Sequence, residues 1–183
     1  MARLNLIERE AATGPAKELL EGVQKALGVT PNLMKVLANA PGVLKSYLDT
    51  NGALAGGLLG AQTRERISLR VAELNRCEYC LSAHTYLGTH AGLSEEEVLA
   101  GREGSSSDPK ANAVLSLVTS VVKKQGRISR AELDAARAAG LTDGEIVEVV
   151  ANVTLNIMTN YLNNVAGTEI DFPRVELFAA AAN

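Results

Sequence analysis

The sequence predicts an all-α protein, and three observations carry that prediction. Apolar residues recur at three- and four-residue spacing over most of the chain, prolines and glycines fall where helices would start and stop, and no stretch alternates apolar and polar long enough to form a strand. Residues 15–28 read as a first helix. Pro15 sits at an early helical position, Leu19, Leu20, Val23 and Leu27 share a face, and Gly28 is the stop. Thr30-Pro31-Asn32 opens a short second helix through Leu37, and Pro41 opens a third through Leu54, which Gly56-Gly57 interrupts. From Gln62 to about Asn75, Ile67, Leu69, Val71, Ala72 and Leu74 lie among good helix formers. A cysteine-bearing helix then runs through Leu87, with Gly92 as punctuation.

The second half follows the same rules. Gly92-Leu93-Ser94-x-x-Glu97 and Gly140-Leu141-Thr142-x-x-Glu145 each place a hydroxyl three residues before a Glu, a capping box, and Ser129-x-x-Glu132 supplies another. The likeness of the first two fits a duplicated helical unit as well as ordinary capping. Residues 101–109 are the most loop-like stretch and a boundary between two halves of a single domain spanning residues 1–183. Helices are expected over 110–125, 129–139 and 142–165. The tail starts extended at Asp171-Phe172-Pro173, because the residue before a proline avoids the helical region. Asn152, Asn156, Asn160, Asn163 and Asn164 make an amide stripe along the last helix. That stripe fits a subunit interface, a cavity lining near the cysteines or a polar outer face, with Met158, Tyr161 and Leu162 beside it read as core.

Composition excludes several function classes. Net charge is −3 with interspersed signs, so no basic stripe awaits nucleic acid. Apolar runs are broken well short of the ~20 residues a membrane helix needs. The segment from Met1 to Glu8 lacks the apolar stretch of a secretory signal, so the expected compartment is the cytoplasm. In that reducing compartment a cysteine pair points to catalysis or metal binding rather than to a structural disulfide.

The chemistry concentrates in Cys77-Glu78-Tyr79-Cys80 and His84, which hold the only two cysteines and one of only two histidines in 183 residues. On a helix these three side chains share a face. A thiol at a helix start feels the positive end of the dipole, which draws its pKa down from ~8.5. His84 is placed to exchange a proton at Cys80. A Cys80 thiolate that attacked a peroxide would become a sulfenic acid, which Cys77 could resolve as a disulfide. An acid partner for His84 has two candidates. Glu73, four residues before Cys77, shares its face on a continuous helix, whereas Glu65 lies about a third of a turn away. Spacing alone favours Glu73, provided that no break occurs at Asn75-Arg76. Two other readings stand beside this one: cysteines that merely pack in a non-catalytic helical assembly module, and a zinc site using Cys77, Cys80, His84 and His90. Crowding four ligands into fourteen residues is unusual for structural zinc.

Glu65-x11-Cys77-x2-Cys80-x3-His84, with Arg64-Glu65-Arg66, Asn75-Arg76 and Ala83-His84 around it, resembles the signature of AhpD-like alkylhydroperoxidases in the carboxymuconolactone decarboxylase superfamily. Thr168-Glu169-Ile170-Asp171-Phe172-Pro173 is similar to the tail of peroxidase-related members. The resemblance implies an AhpD-like helical bundle, a homo-oligomer (trimer or hexamer), and reduction of hydroperoxides without metal or organic cofactor. It makes Cys80 the peroxidatic thiol, Cys77 the resolving thiol, and His84 with Glu65 the proton relay, leaving Glu73 and Tyr79 as second-rank site residues. It allows a lipoyl-bearing protein as the external thiol reductant. Tyr79 departs from the family, since some of its peroxidases have histidine there, and a phenol of pKa ~10 is a poor base at neutral pH. The decarboxylase branch generally lacks the cysteine pair.

Overall fold

The computed structural model describes residues 3–179, leaving Met1, Ala2 and the last four residues outside. Nine helices and no strand occur among the described residues: α1 (Gly14–Leu27), α2 (Asn32–Leu37), α3 (Pro41–Ala55), α4 (Ala61–Leu74), α5 (Glu78–His90), α6 (Glu95–Glu103), α7 (Pro109–Lys124), α8 (Arg130–Ala138) and α9 (Asp143–Ala166). Ser94, Ser129 and Thr142 each cap a helix, and Glu97, Glu132 and Glu145 bond back to the cap residue's own amide. These local signals satisfy the orphan amides of each first turn, which is why the starts were legible. No described helix is long and apolar enough to cross a membrane.

One sequence boundary moves. Residues 101–103 are helical and complete α6, so the connection to α7 spans only 104–108. Gly101 is a contact glycine there, not a breaker: a Cβ would meet Arg66 Cγ and Leu69 Cδ1 at 3.7 Å.

Helix α4 is the axis, packing against α5 and α6 on one side and against α7 and α9 on the other. Its Leu69 and Ala72 join Leu20, Leu33, Leu44 and Leu81 in one apolar cluster. Its Ile67 and Val71 join Val118, Val149 and Val153 in a second. After α9 ends at Gly167 in the left-handed region (φ 58°), the chain returns as an extended strap. Val175 donates its amide to Ser82 Oγ (3.0 Å), Arg174 pairs with Glu78 (2.9 Å), and the Phe178 amide bonds Glu73 (2.8 Å). The strap therefore lies along the 78/82 edge of α5, nearly opposite the face that carries Cys80 and His84.

Candidate functional site

The turn between α4 and α5 builds the site with almost no connecting chain. Helix α4 closes in a Schellman arrangement: the Cys77 amide bonds Ala72 O (3.0 Å), the Arg76 amide bonds Glu73 O (3.2 Å), and Arg76 takes the left-handed conformation at φ 56°. Glycine is usual at that position; a residue with a Cβ costs about 1 kcal/mol there. Cys77 then serves at once as the N-cap of α5, its sulfur accepting the Cys80 amide at 3.3 Å. Cys77 and Cys80 are joined as a disulfide with Cα atoms 5.3 Å apart, inside the range such bonds require. Both sulfurs belong to the core: Cys77 is 0% and Cys80 3% exposed.

His84 and Glu65 meet across the α4–α5 contact, His84 Nδ1 to Glu65 Oε2 at 2.8 Å. Their side chains are 21% and 19% exposed, so this edge is the open side of the thiol site. With Nδ1–H held by the carboxylate, Nε2 is the nitrogen left to trade a proton. Gly88, one turn beyond His84, lies beside this contact: a Cβ there would stand 3.7 Å from Glu65 Cβ and more tightly, 3.2 Å, from Leu93 Cδ1.

Glu73 is elsewhere. The break at Asn75-Arg76 removes the continuous helix on which its spacing depended. Its carboxylate instead takes Arg102 Nε (3.1 Å) and the Phe178 amide (2.8 Å), while the Arg102 guanidinium stacks 4.1 Å over the Phe178 ring. Glu73 thus anchors the strap, and the carboxylate that meets His84 is Glu65. Both partners are nearly buried, at 7% and 11% side-chain exposure, so removing one strands the other. Glu73→Gln is expected to cost about 3 kcal/mol of stability, read by chemical denaturation, while leaving the thiol chemistry intact.

Tyr79 is pinned away from the sulfurs. Its hydroxyl accepts the Leu33 amide (3.1 Å) and its ring meets Phe172 edge-on at 5.8 Å. Burial pushes the phenol far above its usual range, opposed by the Leu33 amide and reinforced by Asp171. It packs and braces α2 against the strap, and does not serve as a base. His90 also points off the site, its Nδ1 on Tyr86 O at 2.8 Å. Among the described residues no three His, Cys, Asp or Glu side chains converge as a metal cage would require.

Four of the five amides in the α9 stripe face inward, and Asn164 is exposed. Asn152, Asn156, Asn160 and Asn163 are buried, whereas Tyr161 is 57% and Met158 36% exposed, contrary to their expected place in the core. Asn75 Nδ2 bonds Asn160 Oδ1 (3.1 Å), Asn164 Nδ2 bonds Asn75 O (3.0 Å), and Asn163 Nδ2 reaches Cys80 Sγ at 3.2 Å. The stripe clamps the α4–α5 turn and touches the second thiol.

Tyr47 on α3 carried no motif signal. Burial, then the neighbouring Glu65 carboxylate, push its phenol up to about 12. The unfolded phenol ionises near pH 10, so the folded state keeps the proton longer and this part of the stability is lost as pH rises from ~10 to ~12. Tyr47→Phe is expected to flatten the fall in melting temperature over that window, a difference of about 2 kcal/mol against wild type.

An open depression of about 450 Å³ near the start of α4, lined by Gln62, Arg66, Glu97, Lys110 and Glu145, holds none of Cys77, Cys80, His84 or Glu65.

Residues 41–115 match the carboxymuconolactone decarboxylase family. An uncharacterized protein of Haemophilus influenzae is 49% identical over 45 residues, 24% of this chain; the match spans two-fifths (40%) of that relative's length. A peroxidase-related protein of Ralstonia eutropha JMP134 with the alkylhydroperoxidase AhpD core superposes with a TM-score of 0.83 at 22% identity, covering 93% of this chain and 92% of that one. A peroxidase-related protein of Silicibacter sp. TM1040 gives 0.75 at 20% identity, covering 90% and 86%. The debrominase Bmp8, in its Cys-to-Ala complex with 2,3,4-tribromopyrrole, gives 0.78 at 15% identity, covering 92% and 91%. The matched segment holds α4, the cysteine pair and His84, and the chain as a whole takes the all-helical fold of these AhpD-like structures.

Proposed function

We propose that this protein reduces organic hydroperoxides with its cysteine pair, Cys80 attacking, Cys77 resolving, and His84 with Glu65 moving protons. The observation that carries the reading is the pairing of a CxxC disulfide with a His84–Glu65 hydrogen bond at 2.8 Å on the adjoining helix face. In the first step the Cys80 thiolate takes the terminal oxygen of ROOH. The O–O bond breaks, ROH leaves with a proton supplied through His84, and Cys80 becomes a sulfenic acid. The Cys77 thiolate then attacks that sulfur, forming the S–S bond and releasing water. A dithiol reductant returns the pair to thiols and leaves as its own disulfide.

The helix geometry supports this order of return. Cys80 is the less buried of the two residues, and Cys77 caps α5 with its sulfur on the Cys80 amide. An incoming thiol therefore attacks Cys80 and expels Cys77, whose departing charge the helix N-terminus receives. A vicinal dithiol suits the second step, because its own ring closure releases Cys80. A lipoyl-bearing protein is one such reductant. The active species in this reading is a homo-oligomer in the cytoplasm.

Steady-state consumption of cumene hydroperoxide with dihydrolipoamide tests the reading. Turnover that needs the dithiol supports it. Turnover of a brominated pyrrole with none of the hydroperoxide would move the protein to the chemistry of the debrominase neighbour.

A further inference from the structure

Asn163 touches the reacting sulfur and has no other evident task. Its side chain is buried at 3% exposure in the last turn of α9, where an amide adds nothing to an apolar core. Nδ2 lies 3.2 Å from Cys80 Sγ. Oδ1 is buried and has no hydrogen-bond partner among the described residues, a costly omission for a group in the core unless a second state uses it. In the disulfide seen here the sulfur is a weak, neutral acceptor. Reduction makes it a thiolate, and the same N–H becomes a charge-assisted donor.

We propose that Asn163 stabilises the Cys80 thiolate, and that this amide directs the nucleophilic role to the second cysteine. The need for such a group follows from the turn itself. The α5 N-terminus, through the Cys80 amide, favours charge on Cys77, so without a donor of its own Cys80 would be the weaker acid of the pair. Of the titratable groups on this side, Cys77 is bonded to Cys80, His84 follows one turn along α5 and is held by Glu65 of α4, and Tyr47 of α3 sits beside that carboxylate. Helix α9 brings no charged side chain over residues 149–166, so its contribution to Cys80 is the amide. In the sulfenic state Oδ1 gains a donor, the S–O–H proton, which occupies the acceptor left idle in the disulfide. The inference rests on the proposed role of Cys80 but is measured without any peroxide.

Thiolate absorbance at 240 nm, followed against pH in a Cys77→Ser background, isolates Cys80. Adding Asn163→Leu is expected to raise the Cys80 pKa by about one to two units. Asn163→Asp, which keeps the shape but places an acceptor and a negative charge at the sulfur, is expected to raise it further. Circular dichroism checks that each variant folds, and Asn163→Ala, which also lacks a donor, covers the case in which Leu does not. An unchanged pKa in any folded variant lacking the amide N–H would overturn the proposal. A raised pKa in a protein without hydroperoxide turnover would keep the role of Asn163 and reject the peroxidase reading instead.

Discussion

Cys80→Ser is expected to lower organic hydroperoxide turnover by at least about a thousandfold, because the attacking thiolate is the one group without which no step begins. Cys77→Ser is expected to fail differently. Its Cys80 still takes one oxygen, once, and stops at the sulfenic acid, since the resolving thiol is missing. Rapid mixing with cumene hydroperoxide followed by a sulfenic-acid trap and intact mass separates the two. Cys77→Ser should carry one trap per chain and Cys80→Ser none. The reverse pattern would assign attack to Cys77, the sulfur that sits on the helix N-terminus.

The second large effect belongs to Glu65. Glu65→Gln keeps the shape of the side chain but removes the charge that holds the His84 imidazole, and the turnover rate is expected to fall about 10²- to 10⁴-fold, the range a positioned proton-transfer group supplies. His84→Ala should lose a similar factor. The double variant should lose little more than either single one, because the two act as one unit. The contrast with Glu73→Gln is the sharper part of the prediction. That change costs stability through Arg102 and the strap while sparing the rate, so the two glutamates separate into a stability residue and a relay residue. If Glu73→Gln abolished turnover in a folded protein and Glu65→Gln did not, the relay assignment would be wrong.

The helix starts were legible because their signals are local. Prolines at first positions, and hydroxyl–glutamate capping boxes, act within one turn whatever surrounds them. The misreadings come from tertiary causes. Residues 101–103 looked like loop because Gly101 resembles a breaker, yet it is buried inside α6 against Arg66 and Leu69. The end of α4 carries no glycine; Arg76 takes the left-handed position, so spacing alone could not show that Glu73 loses its face to Glu65. On α9 the 3.6-residue period gives two faces but not which one turns inward. Amides point in there and Tyr161 points out, the inverse of the usual preference, because the buried face must hold a turn and a sulfur. Cys77, Cys80 and His84 could be picked out because chemistry-bearing residues are few in this chain. Tyr47 could not, since only the packing of α3 brings it near Glu65.

The central claim is that the cysteine pair exchanges two electrons with a hydroperoxide. Counting free thiols on the reduced protein before and after one equivalent of cumene hydroperoxide tests it most directly. The account predicts two thiols per chain falling to none within the mixing experiment, with recovery on adding dihydrolipoamide and no loss in Cys80→Ser. Two thiols that persist in folded wild-type protein under excess hydroperoxide would contradict it.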